Sequence, residues 1–302
     1  MPMRIGLSAF PLTPFHEDAV DETSFERLVS RLARSGVDSI GALGSTGSYA
    51  YLTREERSRL GRVAVEAAEG TPIIIGIGAT RTANVLAHLH DAQDAGASAV
   101  LLPALSYQPL RDADVFALFE EVTRDLDVPL IVYDNPGTTH TTFTAELYSR
   151  IAELPHVAAI KIPGVPAHLH DAAAHIANLR HQLPEQTAIG VSGDAFAAVG
   201  LAAGCDGWYS VVAGTLPRTA QRIMEPARRG DTEAARAASD CLSPLWKLFA
   251  SHGSFRVVAA VAEELGLVGP QCLPHPIVGL SNAERLTVRA VVDNLNLRDI
   301  EV

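Results

Sequence analysis

Eight short apolar runs recur along the chain, each followed by a loop containing Gly or Pro and then by a longer amphipathic segment. They are RIGLSAF (4–10), DSIGALG (38–44), PIIIGIG (72–78), SAVLLP (98–103), PLIVYD (129–134), VAAIKI (157–162), TAIGVSG (187–193) and DGWYSVV (206–212). The runs are nearly continuously apolar rather than alternating, as expected of parallel strands covered on both faces. The intervening segments carry helix signals. One starts after Asp21 and stops at Gly36; a second has Thr53 with Glu56 three residues on and ends at Gly70; a third ends at Gly96; a fourth follows Asp112. These are N-cap and C-terminal glycine positions. Eight strand–helix units predict an α/β fold, a TIM (β/α)8 barrel over residues 1–216. An open doubly wound sheet is the alternative, but no GxGxxG follows the first strand, and GIGATRTA at 76–83 lacks that spacing. From 217 to 302 the strands stop and a helical extension is predicted, its last helix opening at Ser281 with a capping box. Such an appendage packs on its barrel or on a partner subunit.

The formal net charge of −11 argues against nucleic acid and anionic membranes as partners. Cys205, Cys241 and Cys272 are scattered, with no CxxC, which suggests a reducing compartment. The N-terminus is interrupted by Pro11 and Pro14 too soon for a signal peptide, and no apolar run approaches the ~20 residues of a membrane span. A cytoplasmic protein is expected. His88/His90 and His168/His170 are i, i+2 pairs on predicted helices and point to different sides, so no metal site is expected, and no cofactor motif is present.

In a TIM barrel, function gathers at the C-terminal ends of the strands. Of 24 basic residues only Lys161 and Lys247 are lysine, and Lys161 stands inside an apolar strand. A buried lysine can lose its proton and act as a nucleophile, which arginine does not do. The alternative is a structural ion pair. The second strand ends in Gly44-Ser45-Thr46-Gly47, whose hydroxyls and backbone amides suit a small carboxylate, or which forms an ordinary polar turn. The fifth strand ends in Tyr133, an acid/base candidate or a core residue with its hydroxyl at the rim. Tyr107 follows the fourth strand, the seventh ends in Ser192-Gly193-Asp194 and the eighth in Trp208-Tyr209-Ser210. Asp194 reads as the N-cap of AFAAVGLAAG. An amine at 161 would form an imine with a ketone or aldehyde, an electron sink that makes the neighbouring C–H acidic or the neighbouring C–C bond breakable.

Taken together, the hydroxyl-rich loop after strand two, Y-x-x-P at 133–136 and Lys161 on strand six resemble the dihydrodipicolinate synthase/N-acetylneuraminate lyase family of class I Schiff-base aldolases. The resemblance implies that Lys161 forms an imine with pyruvate or another 2-oxo acid and that Tyr133 passes protons. It implies that Ser45 joins that relay and Thr46 holds the carboxylate, with Gly44, Gly47, Thr138, Gly193 and Tyr209 around the substrate. Tyr107 would reach into a neighbouring subunit, so a homodimer or homotetramer is implied, with no cofactor and with an aldehyde as the second substrate. Three departures stand out. Ser48 replaces the acid of GTTGE. Thr138 stands where dihydrodipicolinate synthases carry the arginine that grips aspartate semialdehyde. Ala195 and Phe196 replace the Asp-Glu pair of sialic acid lyases. With Phe196, Trp208 and Tyr209, these departures point to a less polar partner. A dehydratase or hydratase-aldolase using the same imine is the alternative, and a non-catalytic 2-oxo acid binder a further one.

Overall fold

The computed structural model describes residues 5–301. Eight parallel strands close into a barrel: β1 Gly6–Ala9, β2 Ser39–Ala42, β3 Ile73–Gly76, β4 Ala99–Pro103, β5 Leu130–Tyr133, β6 Val157–Ile162, β7 Ala188–Val191 and β8 Gly207–Ser210. Each falls within one of the eight apolar runs. β8 pairs with β1, and β1 with β2, so no strand edge is left open. The two-residue period of a strand divides each run between two cores. Leu130, Val132, Ile160 and Ile162 face the surrounding helices, while Ile131, Tyr133 and Ala159 point into the barrel with Ile5, Phe10, Ile74, Leu101 and Tyr209.

The helices obey their caps. Thr53 and Ser281 each form a capping box, with Glu56 and Glu284 respectively. Asp112 is itself the first residue of its helix, whose N-cap is Arg111. A small hairpin, Phe15–His16 with Ala19–Val20, lies between β1 and the helix Glu22–Arg34. The apolar runs gave no hint of it, because it is a two-residue ribbon. The helix Pro217–Arg228 packs back on β1 and on the helix Ala197–Ala202. Beyond it, the helices Ser243–His252 and Ser254–Glu264 lie over the rim. Among the described residues, no helix is long and apolar enough to cross a membrane.

Glycines shape the barrel interior. A Cβ on Gly190 would lie 2.3 Å from the Tyr209 ring, so the ring occupies the space that β7 leaves. Gly190→Ala is therefore expected to destabilise by about 1–3 kcal/mol through overpacking. The denaturant midpoint should fall with little change in slope, and pairing the substitution with Tyr209→Leu should recover part of the loss.

Candidate active site

Strand register brings the chemistry together. Tyr133 at the end of β5 is paired with Lys161 on β6, and Lys161 with Gly190 on β7. Lys161 shares the inward parity of Ala159 and lies one layer higher, where the barrel opens. Its side chain lines a cavity of about 700 Å³ with Ser45, Thr46, Tyr133, Asn135, Thr138 and Gly193.

Lys161 is 7% exposed and has no ion-pair partner among the described residues, so the structural salt bridge is not what places it there. Its Nζ sits 4.3 Å from the Tyr133 ring centre and 5.8 and 6.0 Å from those of Phe10 and Tyr209. Burial pushes the amine down to about 7, against the pull of Asp194 and Asp134. The ring faces favour the ammonium by about 1–2 kcal/mol, too little to reverse the desolvation. A substantial fraction is thus free amine at neutral pH.

The Tyr133 hydroxyl donates to Ser45 Oγ at 3.0 Å and accepts from Asn135 Nδ2 at 2.7 Å. Burial raises its pKa, so it remains a phenol able to deliver a proton. Asn135 lies two residues beyond the end of β5, outside the apolar run that marks the strand in the sequence. Its proximity to Tyr133 at i+2 was nevertheless available. The pairing of β5 with β6 continues past the strand ends, with Asp134 N–H donating to the Lys161 carbonyl at 3.1 Å. The Asp134 carboxylate accepts from the Tyr148 hydroxyl, and the Tyr148 ring stacks on Phe143.

The loop after β2 is a compact turn. Leu43 and Ser48 adopt positive φ of 56° and 59°, and Tyr49 N–H and Ser48 N–H bond back to the carbonyls of Gly44 and Ser45. Gly44 and Gly47 do not line the cavity as expected. A Cβ on Gly44 would meet the Phe10 ring at 2.8 Å, and one on Gly47 would meet the Leu43 backbone at 2.9 Å, so both serve the turn's close packing. No carbonyl or side chain among the described residues accepts from the amides of Ser45, Thr46 or Gly47. Together with the Thr46 hydroxyl, they form a set of donors suited to an anion.

Tyr209 is the clearest correction. It is 1% exposed and lies inside the barrel rather than on the cavity wall. Its inward parity puts the ring in the layer of Phe10 and Tyr133, edge-on to Phe10 at 6.1 Å. Trp208 faces outward and is likewise buried. Its Nε1 donates to Asp194 at 3.1 Å. Asp194 is not the N-cap of its own helix. Its carboxylate also accepts from Ser210 Oγ and from the amides of Val211 and Val212, and so staples the loop after β7 to the end of β8. Burial pushes it up to about 6, but four donors aimed at one carboxyl group keep it ionised at neutral pH.

Tyr107 is 92% exposed on the loop after β4 and does not line this chain's own cavity. Thr138 lines the cavity from the short helix Pro136–Thr139 and brings no charge. Phe196 lies against Gly164 and Gly193, and with Tyr51, Trp246, Phe249 and Phe255 makes the upper wall aromatic. No group of three or more His, Cys, Asp or Glu among the described residues is placed to hold a metal ion.

The sequence model of the dihydrodipicolinate synthetase family matches residues 3–295. The chain belongs to that family. It is 31% identical over 292 residues to a 4-hydroxy-tetrahydrodipicolinate synthase of Thiobacillus denitrificans, covering 95% of each chain. Its fold is similar to that of a dihydrodipicolinate synthase from Agrobacterium tumefaciens, with a TM-score of 0.93, 44% identity and 97% and 98% of the two chains covered. A dihydrodipicolinate synthase from Thermotoga maritima superposes with a TM-score of 0.89 at 25% identity, covering 98% and 99%. The protein is therefore a class I Schiff-base lyase of this family, with a TIM barrel and a C-terminal helical region.

Removing the phenol hydroxyl leaves Ser45 Oγ and Asn135 Nδ2 without their shared partner. Tyr133→Phe is expected to slow imine formation at Lys161 by about 10²–10⁴-fold, the range of general acid–base catalysis. Ser45→Ala, which leaves the Asn135 bond in place, should cost about tenfold. Borohydride trapping rates read both effects, with melting temperatures close to the parent's.

Proposed function

We propose that this protein makes or breaks a carbon–carbon bond next to an imine formed between Lys161 and pyruvate or a related 2-oxo acid. The observation that carries the reading is a buried amine, unpaired and held near neutral pKa, over the ring of a phenol that is wired to Ser45. The amine attacks the keto carbon, and Tyr133 delivers the proton that lets the carbinolamine lose water. The 2-oxo acid carboxylate is held by Thr46 and the free amides of the 45–47 turn. Loss of a C3 proton from the protonated imine gives an enamine, which attacks an aldehyde. In the reverse direction, the C–C bond beyond the imine breaks and the aldehyde leaves.

The named relatives are 4-hydroxy-tetrahydrodipicolinate synthases. In this chain, position 138 offers a hydroxyl rather than a cation, and the wall above the imine is aromatic. The reading is therefore a partner other than aspartate semialdehyde, with an apolar body. The exposed Tyr107 is assigned to a second copy's site, making a homodimer or a dimer of dimers the working unit, in a cytoplasmic setting.

The test begins with borohydride reduction in the presence of pyruvate and peptide mass spectrometry. The reading expects the added mass on Lys161 and none in Lys161→Ala. A panel of aldehydes then follows, scored for carbon–carbon bond formation and for water loss. Apolar aldehydes should turn over faster than aspartate semialdehyde by about tenfold or more, since a buried pocket discriminates by about 1–3 kcal/mol for modest changes of shape. Absence of an adduct on folded protein would overturn the imine. Preferred turnover of aspartate semialdehyde would overturn the choice of partner.

A further inference from the structure

The imine chemistry occupies the cavity floor and leaves one charge at the mouth without a task. We propose that Arg256 is a specificity-determining residue that receives a distal carboxylate of the substrate, so that the ligand runs from the imine through an apolar spacer to a second anion. The inference rests on the Schiff-base reading above and names the substrate class it takes.

Three charged side chains line the cavity: Lys161, Asp194 and Arg256. Asp194 is buried and committed to four donors within the fold. Arg256 is half-buried on the helix Ser254–Glu264, and its Nε donates to the Val278 carbonyl at 2.9 Å, which restrains the guanidinium. Its two terminal nitrogens have no carboxylate partner among the described residues. The arginines that follow in the same helical region are paired: Arg285 with Glu263, Arg289 with Glu264, and Arg298 with Glu264 and Asp293. Arg256 also borders a neighbouring cavity of about 460 Å³, where Arg285 keeps its own partner. With Nε held by the Val278 carbonyl, the two terminal guanidinium nitrogens remain to grip a carboxylate end-on.

The surface that shares the wall with Arg256 is apolar. Phe196, Phe249, Phe255 and Ile277 offer no polar atom, and Trp246 spends its indole N–H on the Ser239 carbonyl at 2.9 Å. One anion is received at the 45–47 amides and a second at Arg256, with hydrocarbon surface between them.

The test is borohydride trapping at Lys161 as a function of ligand concentration. The probes are pyruvate, 2-oxo acids of four to seven carbons ending in a methyl, and those of five to seven carbons ending in a carboxylate. At least one ω-carboxylate should be trapped at about tenfold or more lower concentration than the methyl-ended acid of equal length, as a charge-assisted contact requires. Arg256→Gln should erase that advantage, and Arg256→Lys should retain part of it, while pyruvate half-saturation stays as in the parent. Absence of the advantage in the parent, its survival in Arg256→Gln, or a parallel weakening of pyruvate in that variant would overturn the role of Arg256. Failure of pyruvate itself to trap would instead overturn the Schiff-base reading.

Discussion

An amine without a counter-ion in the floor of a closed barrel is the constraint that the rest of the site serves. Holding Lys161 near a pKa of 7 means that its charged form is disfavoured by about 5 kcal/mol relative to water. Two buried carboxylates oppose this, yet both are occupied elsewhere. Asp194 ties the loop after β7 to the end of β8, and Asp134 takes the Tyr148 hydroxyl. Their negative charge keeps the depression of Lys161 moderate, while their commitments keep them from neutralising it as an ion pair would. The result is an amine that is both available and close to half protonated at neutral pH, as the proposed nucleophile requires.

The barrel converts this local condition into a site through register. Tyr133 stands opposite Lys161 because β5 and β6 are paired there, and Ser45 reaches the phenol across the barrel mouth from the loop after β2. Glycines supply the remaining tolerance: Gly190 admits the Tyr209 ring beneath the amine, and Gly41 and Gly44 admit Phe10. The result is an aromatic floor under Lys161 and a polar donor set beside it. On the proposed role of Arg256, selectivity lies in a separate part of the chain, the helices beyond the barrel.

Much of this was legible in the sequence. Each strand lay within an apolar run, and the scarcity of lysine singled out Lys161 before any contact was known. The spacing of 44–47, 133–136 and 161 carried the family. Other features depend on geometry that one-dimensional spacing does not carry. Tyr209 stands near the end of its strand as Tyr133 does, but it lies in the barrel interior, off the cavity wall, and sequence position does not give that depth. Asp194 reads as a helix cap because Asp commonly is one, whereas its partners are 14 to 18 residues away. Asn135 and Arg256 were not singled out, because the partner of the first is defined by a side-chain rotamer and the place of the second by the packing of a helix over the rim.

The depressed basicity of Lys161 admits a direct measurement, made easier by a chain with only two lysines. Protein labelled with 13C at lysine Cε would give two side-chain signals, and Lys161→Ala would identify the relevant one by its loss. That signal should move through its titration near pH 7, so that the group is mostly uncharged by pH 8. A signal that instead titrates near the ordinary lysine value of about 10.4 would contradict the account, because the amine would then be solvated and charged at neutral pH.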